Sequence, residues 1–258
     1  MAGNTSRPGA SPLLRGIAVL DCFDADHLEL SVTEIARRTG LATSTAARLA
    51  AQLVDAGMLE RGPDKRLRIG TKVWEMGLRA DVGLVLRERA LPFMVELYEG
   101  TGENIHLAIR AGREALYVDR LMSSRSVPTV SRMGGRLPLH TTGVGKVLLA
   151  YESDEFIEDY VRGVLARPTA YSITSPGRLY DDVRAVRDRG YSLTSQEQTL
   201  GNVSIAMPIH GSRRRVVAAL GIVMHTARAD VPRQVGALRR ATEGIAKSLG
   251  NENPLSGI

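Results

Sequence analysis

Three hydroxyl side chains and one guanidinium lie close together in a stretch that favours contact with nucleic acid. Thr43, Ser44 and Thr45 open a helix with an apolar face, and Arg48 follows one turn later. Short hydroxyls bind phosphates or read base edges, and an arginine fork matches the major-groove edge of guanine. The spacing predicts a DNA-reading helix in which one hydroxyl caps the helix and its neighbours face DNA. Arg48 is the strongest single candidate for a base contact.

A cluster of cations extends this surface along a predicted hairpin. The hairpin cations are Arg61, Lys65, Arg66 and Arg68. They are suited to phosphates or to the minor groove, where they add affinity rather than sequence specificity. Residues 35–72 carry eight Lys or Arg and three acids, a local excess of five positive charges. Such a local field supports phosphate contact better than the net charge of +6 of the whole chain does.

The elements that must position these side chains are a helix, a turn, a second helix and a hairpin within residues 31–68. Ser31 and Glu34 form a capping box, which predicts a helix over about residues 32–39. Thr33 lies in the first turn of that helix and joins the DNA-contacting set. A glycine turn, a second helix and the polar hairpin follow. This order is typical of a winged helix-turn-helix, which reads duplex DNA.

A second chemical pattern lies in the middle of the chain, where residues 136–150 read RLPLHTTGVGKVLLA. It is not a nucleotide-binding P-loop, since His140 and Val147 stand where that motif needs Gly and Ser or Thr. What remains is a glycine-containing turn that opens an apolar helix, whose free amides can hold an anion. Lys146 lies on this helix, where a lysine is more often solvated or paired than bound to a ligand.

Composition excludes several classes of protein. Cys22 is the only cysteine, so we expect neither a disulfide framework nor a thiolate metal cluster. Four histidines are scattered without the spacing of metal ligands: His106, His140, His210 and His225. No cofactor is therefore expected. No long apolar run or signal-peptide pattern is present, so we expect a cytoplasmic protein without a membrane partner.

Hydrophobic periodicity divides the chain into five parts. We predict a disordered arm over 1–11, a winged helix-turn-helix domain over 12–71, a linker and dimerisation helix over 72–90, an α+β domain over 91–250 and a tail over 251–258. In the linker region a helix ends at Ala90, and Pro92 opens a second helix. In the α+β domain, period-two patterns predict strands, one of them over Val127–Met133. The size of this domain fits a small-molecule sensor.

Four segments in this order resemble the IclR family of bacterial transcriptional regulators. They are RGIAVLDCF, the winged motif, LPLHTTGVGKVLLA and RGYSLTSQEQTLGNVSIAMPI. The resemblance implies a winged domain, a linker helix that dimerises and a C-terminal GAF-like effector-binding domain. Family members are commonly dimers or tetramers that bind near-palindromic operators. They answer to small organic acids or aromatic metabolites and repress or activate catabolic operons.

The resemblance also implies an effector pocket. Its positions here are Leu137, Gly143, Val144, Thr194, Ser204, Gly221 and Val223, with Met133 as a flexible wall. The amides of Gly143 and Val144 would bind a carboxylate, and Ser204 would hydrogen-bond it. Some relatives carry an acid at the position of Thr194 and hydroxyls at those of Gly221 and Val223. This chain has none of these groups there. The resemblance therefore implies a roomier, more apolar pocket, which favours an aromatic or branched acid.

Three functions remain to be weighed. The first is a ligand-responsive transcription factor, in which effector binding shifts the spacing of two winged modules. The second is an enzyme on the C-terminal domain, although no Ser-His-acid order, paired carboxylates or metal set stands out. The third is an architectural DNA-binding protein with a degenerate sensor. The first agrees best with the motifs, so we expect no enzymatic activity.

Overall fold

The computed structural model describes residues 11–24, 26–79 and 81–250. Contacts divide the chain into two compact units, residues 1–80 and residues 81–258. The predicted tail and all of the predicted arm except Ser11 lie outside the described residues. Ser11 accepts a hydrogen bond from the amide of Leu14 at 3.3 Å and caps the first helix. None of the described helices is long and apolar enough to cross a membrane.

The N-terminal unit has the order of a winged helix-turn-helix. Its elements are α1 (Pro12–Leu20), α2 (Val32–Thr39), α3 (Thr43–Asp55), β1 (Leu59–Arg61), β2 (Leu67–Ile69) and α4 (Thr71–Leu78). β1 and β2 pair antiparallel, and an isolated bridge joins Leu30 to Leu67. Val19, Ile35 and Leu49 are buried from three different helices, so one small core holds the unit together.

Two of three predicted local signals in this unit are confirmed. Ser31 and Glu34 form the capping box, in which the Glu34 carboxylate accepts from the Ser31 amide at 2.7 Å. The prediction that a hydroxyl among residues 43–45 caps α3 is wrong, because Ala42 occupies the N-cap position without a side-chain hydrogen bond. Gly40 has φ of 69° and ends α2 in the left-handed conformation that glycine favours.

The C-terminal unit is a three-layer α+β domain. Its elements are α5 (Asp81–Thr101), β3 (Asn104–Ala111), β4 (Glu114–Leu121), β5 (Arg136–Pro138), α6 (Gly143–Ala150), α7 (Asp154–Arg162), α8 (Pro176–Arg189), β6 (Ser192–Ser195), β7 (Asn202–His210), β8 (Val216–His225) and α9 (Val231–Leu249). The antiparallel sheet has the order β5-β4-β3-β8-β7-β6. One core lies between the sheet and helices α5 and α9, and a second lies under α6, α7 and α8.

Alternation along the strands sorts residues between these two layers. On β3, Ile105 and Leu107 belong to the first core, whereas Ala108 belongs to the second. Small residues on the second face allow α6 to approach the sheet closely. A Cβ added to Gly221 would lie 2.9 Å from Val144 Cγ1, so only glycine admits that packing.

The predicted single helix over 72–90 and the predicted helix break at Pro92 are wrong, since α4 ends at Leu78 and α5 continues from Asp81 through Pro92 to Thr101. A proline inside a helix removes one hydrogen bond and costs about 3 kcal/mol. Leu86, Ala90 and Met94 are each fully buried at four-residue spacing, so the same apolar stripe packs on both sides of the proline. Burial of long apolar side chains at about 1.5–3 kcal/mol each offsets the cost.

The predicted strand over Val127–Met133 is also wrong, because this segment is irregular. Pro128 has no amide to donate to a ladder, and side chains take the place of strand pairing. Asn104 Nδ2 donates to the carbonyl of Val127 at 2.7 Å, and Asn202 Nδ2 donates to that of Pro128 at 3.1 Å. Strand β6 was not predicted, since it is only four residues long.

Candidate functional site

The exposed face of α3 carries the predicted DNA-contacting side chains. Thr43, Ser44 and Arg48 are exposed, and Thr45 is half-buried. Within the described residues, Arg48 makes no hydrogen bond or ion pair, so its guanidinium is available to a ligand. Because no side chain caps α3, the amides of its first turn add partial positive charge at the same end.

The hairpin cations fall into two groups. Arg66 donates to the Glu29 carbonyl and to the Glu34 carboxylate, each at 2.9 Å, and Arg68 donates to the Glu60 carboxylate at 3.0 and 3.1 Å. The Arg66 contacts hold the hairpin to α2, and the Arg68 contacts hold β2 to β1. Hydrogen bonds from Ser31, supported by Arg66, lower the pKa of Glu34 to about 2.

The other hairpin cations are less constrained. The contact from Arg61 to the Lys65 carbonyl is long, at 3.5 Å, and no ion pair of either residue is found in the part of the chain described. Lys65 has φ of 66°, which turns the backbone sharply at the hairpin tip. Thr33 is exposed, and its hydroxyl lies 3.0 Å from that of Ser31. Within the described residues, three of the predicted DNA-contacting cations therefore have no ion pair with a carboxylate: Arg48, Arg61 and Lys65.

A cavity of about 50 Å³, partly open to solvent, lies between the start of α6 and the sheet. Six of the eight predicted effector-contacting residues line it: Leu137, Gly143, Val144, Thr194, Ser204 and Val223. The other two do not. Met133 is 56% exposed beside a glycine turn, and Gly221 is covered by Val144.

The α6 end of the cavity gathers several hydrogen-bond donors. Thr142 caps α6 by accepting from the Gly145 amide at 3.1 Å, and the Lys146 amide bonds to the Thr142 carbonyl. The amides of Gly143 and Val144 have no partner among the described residues. Ser204 Oγ lies so close that a Cβ on Gly143 would be 2.5 Å from it. Free amides at a helix start beside an unpaired hydroxyl suit a carboxylate.

Lys146 does not contact this donor group, because its side chain is fully buried in an ion-pair cluster. Its Nζ lies 2.5 Å from Asp182 Oδ2 and 2.7 Å from Glu197 Oε1. The contact between Lys146 and Asp182 is an ion pair without a well-aligned hydrogen bond. Burial raises the pKa of Glu197, and the Lys146 charge opposes that rise. The cluster ties α6 to α8 and to the segment after β6.

Several lining residues were not predicted from the sequence. They are His106, Tyr117, Thr129 and Ser131. His106 is buried, and burial, with a smaller effect of Arg120, lowers its pKa to about 3. Its ring meets that of Tyr117 edge to face at 5.4 Å. The alternation of His106 with Ile105 and Leu107 was the signal that it faces the second layer.

Comparisons with known proteins extend these observations. A family model described as IclR helix-turn-helix domain matches residues 12–63, and one described as bacterial transcriptional regulator IclR C-terminal matches residues 81–247. The transcriptional regulator XynR of Escherichia coli is 31% identical over 84% of this chain and 86% of its own. The transcriptional repressor IclR of the same organism is 28% identical over 81% of this chain and 78% of its own.

Solved structures give the same result. A crystal structure of an IclR homolog complexed with 4-hydroxybenzoate, from Microbacterium hydrocarbonoxydans, matches with a TM-score of 0.88 and 33% identity. It covers 93% of this chain and 99% of the homolog. A putative transcriptional regulator from Rhodococcus matches with a TM-score of 0.82 and 30% identity, over 95% and 100% of the two chains.

Proposed function

Because this chain belongs to the IclR family of bacterial transcriptional regulators, we propose that its cavity binds an aromatic carboxylic acid that controls operator binding. The chain is a regulator that binds DNA through its helix-turn-helix domain and a small effector in its C-terminal domain. The observation that carries the proposal is the meeting of the Gly143 and Val144 amides with Ser204 at one end of an apolar-walled cavity.

The walls of the cavity support an aromatic effector. Leu137, Val130 and Val223 are aliphatic, and Tyr117 adds a ring, so a flat apolar body is buried between them. The IclR homolog from Microbacterium is bound to 4-hydroxybenzoate, which has the proposed chemistry.

On the DNA side, the proposal assigns base contact to Arg48 and phosphate contact to the hydroxyls of Thr43, Ser44 and Thr45. Arg61 and Lys65 at the hairpin reach phosphates or the minor groove. Arg66 and Arg68 stay in the set, with a second role in holding the hairpin. Thr33 is suited to a phosphate because it lies exposed in the first turn of α2.

A dimer or tetramer that binds a near-palindromic operator completes the proposal. Helix α4 has no buried residue, and its Trp74 is 67% exposed. A symmetric copy would cover such a helix and would set the spacing of two half-sites. Such a regulator acts in the cytoplasm on DNA and carries out no catalysis. Relatives named as transcriptional regulators support this assignment.

Thermal unfolding of the purified protein with a panel of acids tests the effector assignment. Aromatic acids should raise the unfolding temperature. At a ligand concentration one hundred times the dissociation constant, the free energy of unfolding should increase by about 2.7 kcal/mol. Ser204→Ala should weaken this effect, since the hydroxyl is lost beside the carboxylate. Ser175→Ala is the matched control, because Ser175 is exposed and its side chain makes no cap hydrogen bond. Stabilisation by short aliphatic acids alone would contradict the proposal.

A further inference from the structure

We propose that His106, with Ser131 and Thr129 behind it, selects effectors that carry a hydroxyl group on the ring, away from the carboxylate. This inference rests on the proposed function, because the carboxylate site at α6 fixes which end of the effector reaches His106. All three residues line the cavity, and His106 and Ser131 are buried. The class of ligand is therefore a hydroxy-substituted aromatic acid.

A chain of hydrogen bonds fixes which nitrogen of His106 carries the proton. Met122 Sδ can only accept, and Thr129 Oγ1 donates to it at 3.7 Å. Ser131 Oγ in turn donates to Thr129 Oγ1 at 3.2 Å. The Ser131 oxygen is then left to accept, and His106 Nε2 lies 3.0 Å from it. The proton of the imidazole is accordingly on Nε2.

The other ring nitrogen is left as an acceptor. Within the described residues, His106 Nδ1 has no hydrogen-bond partner. Burial keeps the ring neutral, since its pKa is lowered to about 3. A neutral acceptor repels a carboxylate but binds a hydroxyl proton. This end of the cavity therefore complements a phenolic hydroxyl, whereas the α6 end complements the acid group.

The register of the sheet sets the distance between the two ends. Ser204 on β7 is in line with Val223 on β8 and Asn104 on β3, and His106 lies two residues further along β3. Two strand spacings across and two residues along place the Cα atoms of Ser204 and His106 about 12 Å apart. Both side chains stand on the same face of the sheet and roughly perpendicular to it, so they use little of this span. Two hydrogen bonds of about 2.8 Å then leave about 6 Å, which suits one six-membered ring with a polar group at each end.

Calorimetric titration of the purified full-length protein tests this inference with three ligands: benzoate, 4-hydroxybenzoate and 4-methylbenzoate. The hydroxy acid should bind about tenfold more tightly than the other two, the value of one buried hydrogen bond. The methyl compound separates hydrogen bonding from the mere filling of space.

Two variants and one control identify the residue responsible. His106→Phe keeps a ring against Tyr117 but removes the acceptor, so the ratio of 4-hydroxybenzoate affinity to benzoate affinity should fall to about one. His210→Phe makes the same change outside the cavity, where His210 meets Tyr151 edge to face at 5.9 Å. It should retain the preference. Ser131→Ala removes the acceptor for Nε2–H, frees the ring to change tautomer, and should reduce the preference.

The outcomes separate this inference from the proposed function. If benzoate and 4-hydroxybenzoate bind equally well, or if His106→Phe keeps the preference, the role of His106 is overturned and the aromatic effector stands. If none of the three acids binds, the aromatic effector is wrong and the inference falls with it. Should His106→Phe fail to fold by circular dichroism, Ser131→Ala decides: an undiminished preference in that variant overturns the inference.

Discussion

Replacing Lys146 by methionine should destabilise the C-terminal unit strongly, and more so at neutral than at acidic pH. The substitution keeps most of the side-chain volume but leaves Asp182 and Glu197 facing each other without a cation. Removing one partner from a buried ion pair costs about 3–5 kcal/mol. The side chain of Asp182 is 18% exposed, so solvent screens part of the charge and about 3 kcal/mol is the better value.

The pH dependence follows from the direction of the Glu197 shift. Burial raises the pKa of this carboxyl in the folded state, and loss of Lys146 removes the charge that opposes the rise. An acid with a raised folded-state pKa holds its proton more tightly when folded. The penalty of ionising it is therefore present above the folded pKa and disappears as the pH falls below the unfolded value of 4.5.

Differential scanning calorimetry at a series of pH values measures this effect. At neutral pH the unfolding temperature of the C-terminal unit should fall by about 6–12 °C, at about 2–4 °C per kcal/mol for a domain of this size. The deficit should shrink towards pH 5. Lys247→Met is the matched control, because Lys247 lies exposed in the last turn of α9. A small deficit, or one that is equal at pH 5 and pH 8, would refute the reasoning.

Two further predictions concern the sites themselves. Arg48→Ala should weaken operator binding by about 1–3 kcal/mol and relax sequence preference in a gel shift, whereas equal loss on random DNA would assign Arg48 to phosphate alone. Gly143→Val should abolish the response to effector, because its Cβ would lie 2.5 Å from Ser204 Oγ, while operator affinity stays nearly intact. A normal response of this variant would move the effector site elsewhere in the domain.

Local signals in the sequence were sufficient for most of the fold. The capping box at Ser31 and the terminal glycine at Gly190 mark helix ends through contacts within a few residues. Alternation predicted β7, and a continuous apolar run predicted β8, whose two faces are both buried. The prediction at Pro92 was wrong because tertiary burial on both sides of the proline, rather than the proline itself, decides where α5 ends.

The cavity was harder to predict, since its chemistry depends on partners distant in sequence. Glu197, which lines the cavity, pairs with Lys146 51 positions away, and nothing near Lys146 in the sequence marks it as buried. His106 depends on Ser131, 25 positions away and in a segment predicted wrongly as a strand. A side chain whose protonation is set across such distances cannot be assigned a role from its own neighbours. The tautomer of His106, and with it the proposed preference for a hydroxyl, follows only once Met122 Sδ is known to end the hydrogen-bond chain.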